Sequence, residues 1–176
     1  MPTPITTRLL RADDAATVAQ LHAESWRAAY RDILSAAYLA SAVDADRLAV
    51  WTHRLNAVPD HAFGILAEVD ERPAGFAYVS YVANPAYGNL LDNIHVSSDF
   101  ARQGIGRRLF AVLSNEIVRR SWPNALHLWV YDANVGARRF YDALAGICVE
   151  RGLRDAPDGQ QIPAVRYYWS DVSVLR

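Results

Sequence analysis

The stretch that most limits what this chain can fold into is Leu90 to Ile117, LLDNIHVSSDFARQGIGRRLFAVLSNEI. Leu90 to Val96 is mostly apolar and carries β-formers, which predicts a strand. Ser97 to Gly106 is a short polar connection ending in Gln103-Gly104-Ile105-Gly106. From Arg107 the apolar residues take helical spacing: Leu109, Leu113 and Ile117 fall four apart, with Phe110 and Val112 beside them. A strand, a glycine turn and a helix follow one another without interruption.

Such a turn suits an anion. The first N–H groups of a helix have no intrahelical partner, and the helix dipole adds partial positive charge there. Gly104 and Gly106 lack a Cβ, so a bulky anion can approach the backbone. Arg102, Arg107 and Arg108 add cations. A phosphate or pyrophosphate is the natural guest; a plain helix start containing two glycines is the competing reading. Two phosphate motifs fail on the residues. A dinucleotide fingerprint needs a third glycine where Leu109 stands. A P-loop needs Gly-Lys-Ser/Thr where Gly106-Arg107-Arg108 stands.

A chain of 176 residues fits one domain with a substantial core, and 1–176 is read as a single domain. An apolar fraction of 52% argues against disorder. The net charge of −1 gives no general field for nucleic acid. No apolar run approaches the roughly 18 residues of a membrane helix. The N-terminal residues lack a signal-peptide core, so a cytoplasmic location is expected. Cys148 is the only cysteine, which excludes an internal disulfide and a cysteine-cluster metal site. The five histidines show no metal-binding spacing. The chemistry is therefore expected to need no metal.

The rest of the chain predicts a strand over Ile5–Arg11, then a helix to about Arg31 with Asp13 and Asp14 as caps. A short helical segment over Ile33–Ala42 and a third helix capped by Asp44 follow, the latter carrying Leu48, Trp51 and Leu55. Phe63–Val69 and Gly75–Val82 form a hairpin around Asp70-Glu71-Arg72-Pro73. After the central helix come a strand over Ala125–Tyr131, a helix over about Val135–Leu144 with Gly146 as its cap, and a hairpin from Ile147–Leu153 and Ala164–Ser170. The order β-αα-ββ-β-α-β-α-β-β implies an α/β (α+β) architecture: a mixed sheet with helices on both faces.

The span Val96-x-x-x-Phe100-Ala101-Arg102-Gln103-Gly104-Ile105-Gly106-Arg107 resembles the acetyl-coenzyme A signature of the GNAT superfamily of N-acetyltransferases. A second stretch, Asn134-x-x-Ala137-x-x-Phe140-Tyr141-x-x-Leu144-Ala145-Gly146, is similar to that family's Asn-x-x-Ala-x-x-Phe-Tyr-x-x-x-Gly segment. One departure is visible: Ala101 stands where the family has Arg or Gln. Arg102 and Gln103 must then supply the polar side chains, or the backbone acts unaided. The resemblance implies a twisted, mostly antiparallel mixed sheet of six to seven strands. It implies acetyl-CoA as acetyl donor, a small-molecule or peptide amine as acceptor, and an assembly that in this family is often a homodimer. The turn Arg102, Gln103, Gly104, Ile105, Gly106 and Arg107 would bind the pyrophosphate. The strand at Ile94, His95 and Val96 would bind the pantetheine arm through its backbone, with Asn134 on the other side. In the family the two strands flanking this site splay apart.

Acetyl transfer needs a neutral amine, a donor for the developing oxyanion and a thiolate that can leave. An alkylamine with a pKa near ~10.4 is mostly protonated at neutral pH, so a base helps. The resemblance places a general acid at Tyr141. A phenol near ~10 protonating a thiolate near ~8.5 is uphill by about 2 kcal/mol, so the phenol must be tuned or must only hydrogen-bond the sulfur. For the base, strand alternation groups Asp92 with Leu90, Ile94 and Val96, opposite Asn93 and His95, and the resemblance favours that position. His95 has the better intrinsic pKa, and deprotonation through water is the third route. Free backbone N–H groups near Val96 would polarise the thioester carbonyl. Trp26, Tyr30, Tyr38 and Trp51, with Tyr78, Tyr81 and Tyr87, are candidates for an acceptor pocket, or core. A non-catalytic acyl-CoA-binding module of the same fold is the rival reading.

Overall fold

The computed structural model describes residues 4–175. Seven strands form one sheet: β1 (Ile5–Leu9), β2 (Ala62–Val69), β3 (Arg72–Asn84), β4 (Gly88–Val96), β5 (Leu126–Tyr131), β6 (Ile147–Asp155) and β7 (Gln161–Trp169). Their spatial order is β1-β2-β3-β4-β5-β7-β6. Every pairing is antiparallel except β4 with β5. Five helices cover the sheet: α1 (Ala15–Ala29), α2 (Ala36–Ser41), α3 (Val43–Asn56), α4 (Ile105–Arg119) and α5 (Val135–Asp142).

Each face of the sheet has its own core. On one face Leu109, Phe110, Leu113 and Ile117 of α4 and Tyr141 of α5 pack on Ala77, Val79, Leu91, Leu128 and Tyr167. On the other, Val18 and Leu21 of α1 and Trp51 and Leu55 of α3 pack on Leu66, Phe76 and Tyr78. A third cluster joins the end of α1 to α2 and to Ile162 of β7, through Trp26, Tyr38 and Leu39. The helical spacing read from Arg107 onward thus marks the buried stripe of α4, although the helix begins at Ile105.

Local chemistry departs from expectation at four places. Asp14 stands at the N-cap position of α1, but its side chain makes no capping bond to that helix. Its carboxylate takes two hydrogen bonds of 2.8 Å from Arg8 and one of 2.7 Å from the Arg11 N–H, tying the helix to β1. Asp44 lies inside the first turn of α3 and pairs with Arg27. Of the apolar residues read on α3, Trp51 and Leu55 are buried and Leu48 is exposed. Gly146 is not the left-handed residue that ends α5: Ala145 takes that conformation (φ 58°), and the Gly146 N–H returns to the Tyr141 carbonyl. Glycine is required there because a Cβ would lie 2.6 Å from the Trp169 ring.

Candidate active site

β4 and β5 pair only at Asn89–Leu126 and Leu90–His127. Past Leu90 the two strands part. Asn89 fixes the point of divergence. Buried at the apex, it donates to the carbonyls of Pro123 (2.6 Å) and Ala125 (3.1 Å) and accepts from the Val82 N–H (3.0 Å). The splay opens a cleft of about 940 Å³ that runs from the α4 N-terminus, between the strands, to the end of α1.

The backbone of β4 is turned to suit. The Ser97 N–H bonds the Ala74 carbonyl of β3. With the two-residue period of a strand, His95 also directs its backbone at β3. Ile94 and Val96 then aim their N–H and C=O groups into the splay, where β5 is too far away to use them. Of the three strand residues expected at the pantetheine arm, Ile94 and Val96 have this orientation and His95 does not.

At the end of the cleft, Arg102 (φ 62°) and Gly104 (φ 84°) take left-handed conformations that turn the chain into α4. Arg108 is the first α4 residue to bond back, to the Gly104 carbonyl, leaving the amides of Ile105, Gly106 and Arg107 to face outward. Nothing lies within 4 Å of where a Gly104 Cβ would stand. Arg102, Arg107 and Arg108 are exposed and make no ion pair among the described residues. Open space, free amides and uncommitted guanidinium groups fit a pyrophosphate. Gly106 serves differently: its Cβ would meet the Phe140 ring at 2.9 Å. The two sequence motifs therefore touch, glycine of α4 against aromatic of α5.

Tyr141 lines the cleft with its ring packed among Phe110, Tyr167 and Trp169. Burial pushes its phenol well above the usual range, and the neighbouring Tyr30 and Tyr167 hydroxyls add to the shift. Burial thus favours the neutral phenol, which can donate a hydrogen bond. Asn134 caps α5 by accepting from the Ala137 N–H (3.2 Å) and also lines the cleft.

Asp92 is not on the face that simple alternation assigns to it. Tyr78 pairs with Asn93 and Val79 with Leu91, so Asp92 is the extra residue of a β-bulge. The bulge turns it to the side of Asn93, and Arg54 of α3 holds both, at 2.5 Å from the Asp92 carboxylate and 2.9 Å from Asn93 Oδ1. Asp92 still lines the cleft. Arg54, which also lies over the Trp51 and Tyr78 rings, had no signal in the sequence beyond a polar position on a helix. His95 faces α1, its Nδ1 2.8 Å from Ser25 Oγ. Burial, reinforced by the Arg47 charge, lowers its pKa to about 3. That value makes it a poor acceptor for an ammonium proton.

The aromatic candidates divide. Trp26 and Tyr30 line the cleft, joined by Trp129 and Tyr131 of β5 and by Arg154 and Asp155 of β6. Trp51, Tyr38 and Tyr78 are core. Tyr81 stacks on Trp122, and Tyr87 lies against His127 and Arg166 outside the cleft. Among the described residues no group of three or more His, Cys, Asp or Glu could hold a metal ion. No helix among them is long and apolar enough to cross a membrane.

Comparison with known proteins identifies the family to which this fold and cleft belong. The chain belongs to the acetyltransferase (GNAT) family, whose model matches residues 18–147, and it is an N-acetyltransferase of that family. It is 25% identical over 178 residues to the uncharacterized N-acetyltransferase YuaI of Bacillus subtilis, covering 98% of this chain and 96% of that protein. Its fold resembles the PaiA N-acetyltransferase of Thermoplasma acidophilum, solved in complex with coenzyme A (TM-score 0.70, 18% identity, 92% of this chain and 98% of that one). It also resembles yncA of Salmonella typhimurium, solved with its cofactor acetyl-CoA (TM-score 0.66, 15% identity, 95% and 94%).

Proposed function

We propose that this protein, a single domain over 1–176 acting in the cytoplasm, transfers the acetyl group of acetyl-CoA to an amine by direct attack within a ternary complex. The observation that carries the reading is the splay of β4 from β5, with amides and guanidinium groups suited to a pyrophosphate at one end and an aromatic-lined chamber at the other. A donor and an acceptor can occupy such a cleft together.

The residues then take distinct tasks. The amides of Ile105, Gly106 and Arg107, with Arg102, Gln103 and Gly104, hold the pyrophosphate. Ile94 and Val96 bond the pantetheine amides through their backbone, extending β4 where β5 has left it, and Asn134 borders the same path. The amide of Val96 polarises the thioester carbonyl as charge develops on its oxygen. Tyr141 donates a hydrogen bond to the sulfur as the C–S bond breaks. With its pKa raised, full proton transfer to a thiolate of ~8.5 is more uphill than for a free phenol, so stabilisation of the leaving group is its role. Asp92 receives the amine proton directly or through a water, with Arg54 fixing the carboxylate. The acceptor enters past Trp26, Tyr30 and Trp129, a chamber for a small amine or the end of a peptide.

Initial-rate kinetics with varied acetyl-CoA and a panel of amines test the order of events. Intersecting reciprocal plots, with Cys148→Ala fully active, are expected. Parallel plots, or acetyl transfer abolished in a folded Cys148→Ala, would show a covalent acetyl-enzyme and sink direct attack.

A further inference from the structure

Trp129 of β5 reaches across β7 towards β6: its ring comes within 3.8 Å of where a Gly152 Cβ would stand, and Gly152 is paired with the small Ala164. Arg154, two residues on and on the same face of β6, lays its guanidinium over that indole, Cζ 4.8 Å from the ring centroid. The backbone that carries it is anchored. Ala156 is buried with Trp26 and Tyr38, and the Asp158 carboxylate accepts from the Ser35 N–H at 2.7 Å, which ties the β6–β7 turn to the start of α2. Arg154 lines the cleft and makes no ion pair among the described residues. Other guanidinium groups around the chamber are committed: Arg54 to Asp92 (2.5 Å), Arg166 to Glu150 (2.8 Å) and Arg47 to Asp46 (3.0 Å). Stacking uses the face of the Arg154 guanidinium and leaves its N–H edge for a bidentate partner.

We propose that Arg154 binds a carboxylate carried by the acceptor, so that the amine acetylated here belongs to an amino acid or another small molecule with both groups; this rests on the acetyl-transfer reading above. The amine lies at Asp92 on the β4 wall and the carboxylate at Arg154 beyond Trp129. The apolar part of the molecule packs on Trp129 and on the Trp26 and Tyr30 rings, which line the same cleft. The charges decide among acceptor classes. A single uncommitted guanidinium suits a monoanion. A phosphate, with close to two negative charges, would find no second uncommitted cation among the described residues of the chamber and would lie near Asp155. A polyamine would set its far ammonium group against Arg154. Arg154 is thus a residue that selects the acceptor and takes no part in making or breaking bonds.

The test is a thiol-release assay on amino acids, L-phenylalanine, β-alanine and aminohexanoic acid among them, each beside its carboxamide and its aminophosphonate. Wild-type kcat/KM should favour the carboxylate over the carboxamide by about tenfold or more for at least one of them. Arg154→Gln should bring that ratio close to one, and Arg154→Lys, which keeps the charge without the fork, should fall between. No preference for the carboxylate in the wild type, a preference that survives Arg154→Gln, or a stronger preference for the phosphonate would overturn the proposal. Calorimetric titration of the same compounds into the enzyme saturated with CoA separates this proposal from the acetyl-transfer reading. Carboxylate binding that Arg154→Gln abolishes, with no turnover of any amine, would uphold the site and sink the transfer reading. Turnover without discrimination would do the reverse, and neither turnover nor binding of any carboxylate would overturn the site.

Discussion

Tyr141 and His95 show how burial decides what a titratable side chain can do. Tyr141, held neutral by its apolar surroundings, is proposed to act by pointing a hydroxyl at the sulfur. Tyr141→Phe should lower kcat by about 10²-fold with little change in the KM for acetyl-CoA, and neither enzyme should show an alkaline limb belonging to a phenol below pH 10. An unchanged kcat would remove Tyr141 from the reaction. His95 illustrates the opposite sign. Its pKa is about 6.5 unfolded and about 3 folded, and that of His127 falls to about 4, again mainly by burial. Below pH 6.5 the unfolded chain binds protons that the native state refuses, so this stability is intact above pH 6.5 and is lost as the pH falls towards 3. The Tm should therefore drop between pH 7 and pH 5, and the drop should shrink in His95→Asn. A flat Tm over that interval would contradict the buried, neutral histidine.

At the scale of elements, the molecule depends on where α4 meets α5 and where β4 leaves β5. Gly106→Ala puts a methyl 2.9 Å from the Phe140 ring. A loss of about 1–3 kcal/mol is expected. Combining it with Phe140→Leu should recover part of that loss, a coupling that a denaturant-based double-mutant cycle measures; strict additivity would mean the contact is unimportant. Asn89→Leu leaves the Val82 N–H and the Pro123 carbonyl unpaired at the apex of the splay, while the Ala125 carbonyl keeps the backbone N–H of residue 89, with an expected loss of about 2–5 kcal/mol. These two points mark how far the sequence could be read. The apolar stripe of α4, the glycine turn and the helix after Asn134 were legible because local spacing and capping decide them. The antiparallel hairpins were legible for the same reason. The bulge at Asp92 was not, since a strand's face is set by pairing with Tyr78 and Val79, whose register no local pattern reveals. Nor was the second task of Gly106, which depends on a ring brought in from another helix. Arg54 was invisible because its partners, Asp92 and Asn93, lie on a distant strand.

For the molecule as a whole, the open seam between β4 and β5 is proposed to bind acetyl-CoA, with its pyrophosphate on the turn before α4. All other roles depend on that placement. A ligand at 100 times its Kd adds about 2.7 kcal/mol to native stability, so binding should also raise the Tm by several degrees. The most direct test is calorimetric titration of acetyl-CoA into the wild type and into Gly104→Glu. That substitution sets a carboxylate in the open space over the turn and strains a backbone at φ 84°, so its fold is checked by thermal unfolding. One-site binding by the wild type, abolished in a folded Gly104→Glu, is the predicted result. Failure of the folded wild type to bind acetyl-CoA, or equal binding by the variant, would rule out this placement of the cofactor.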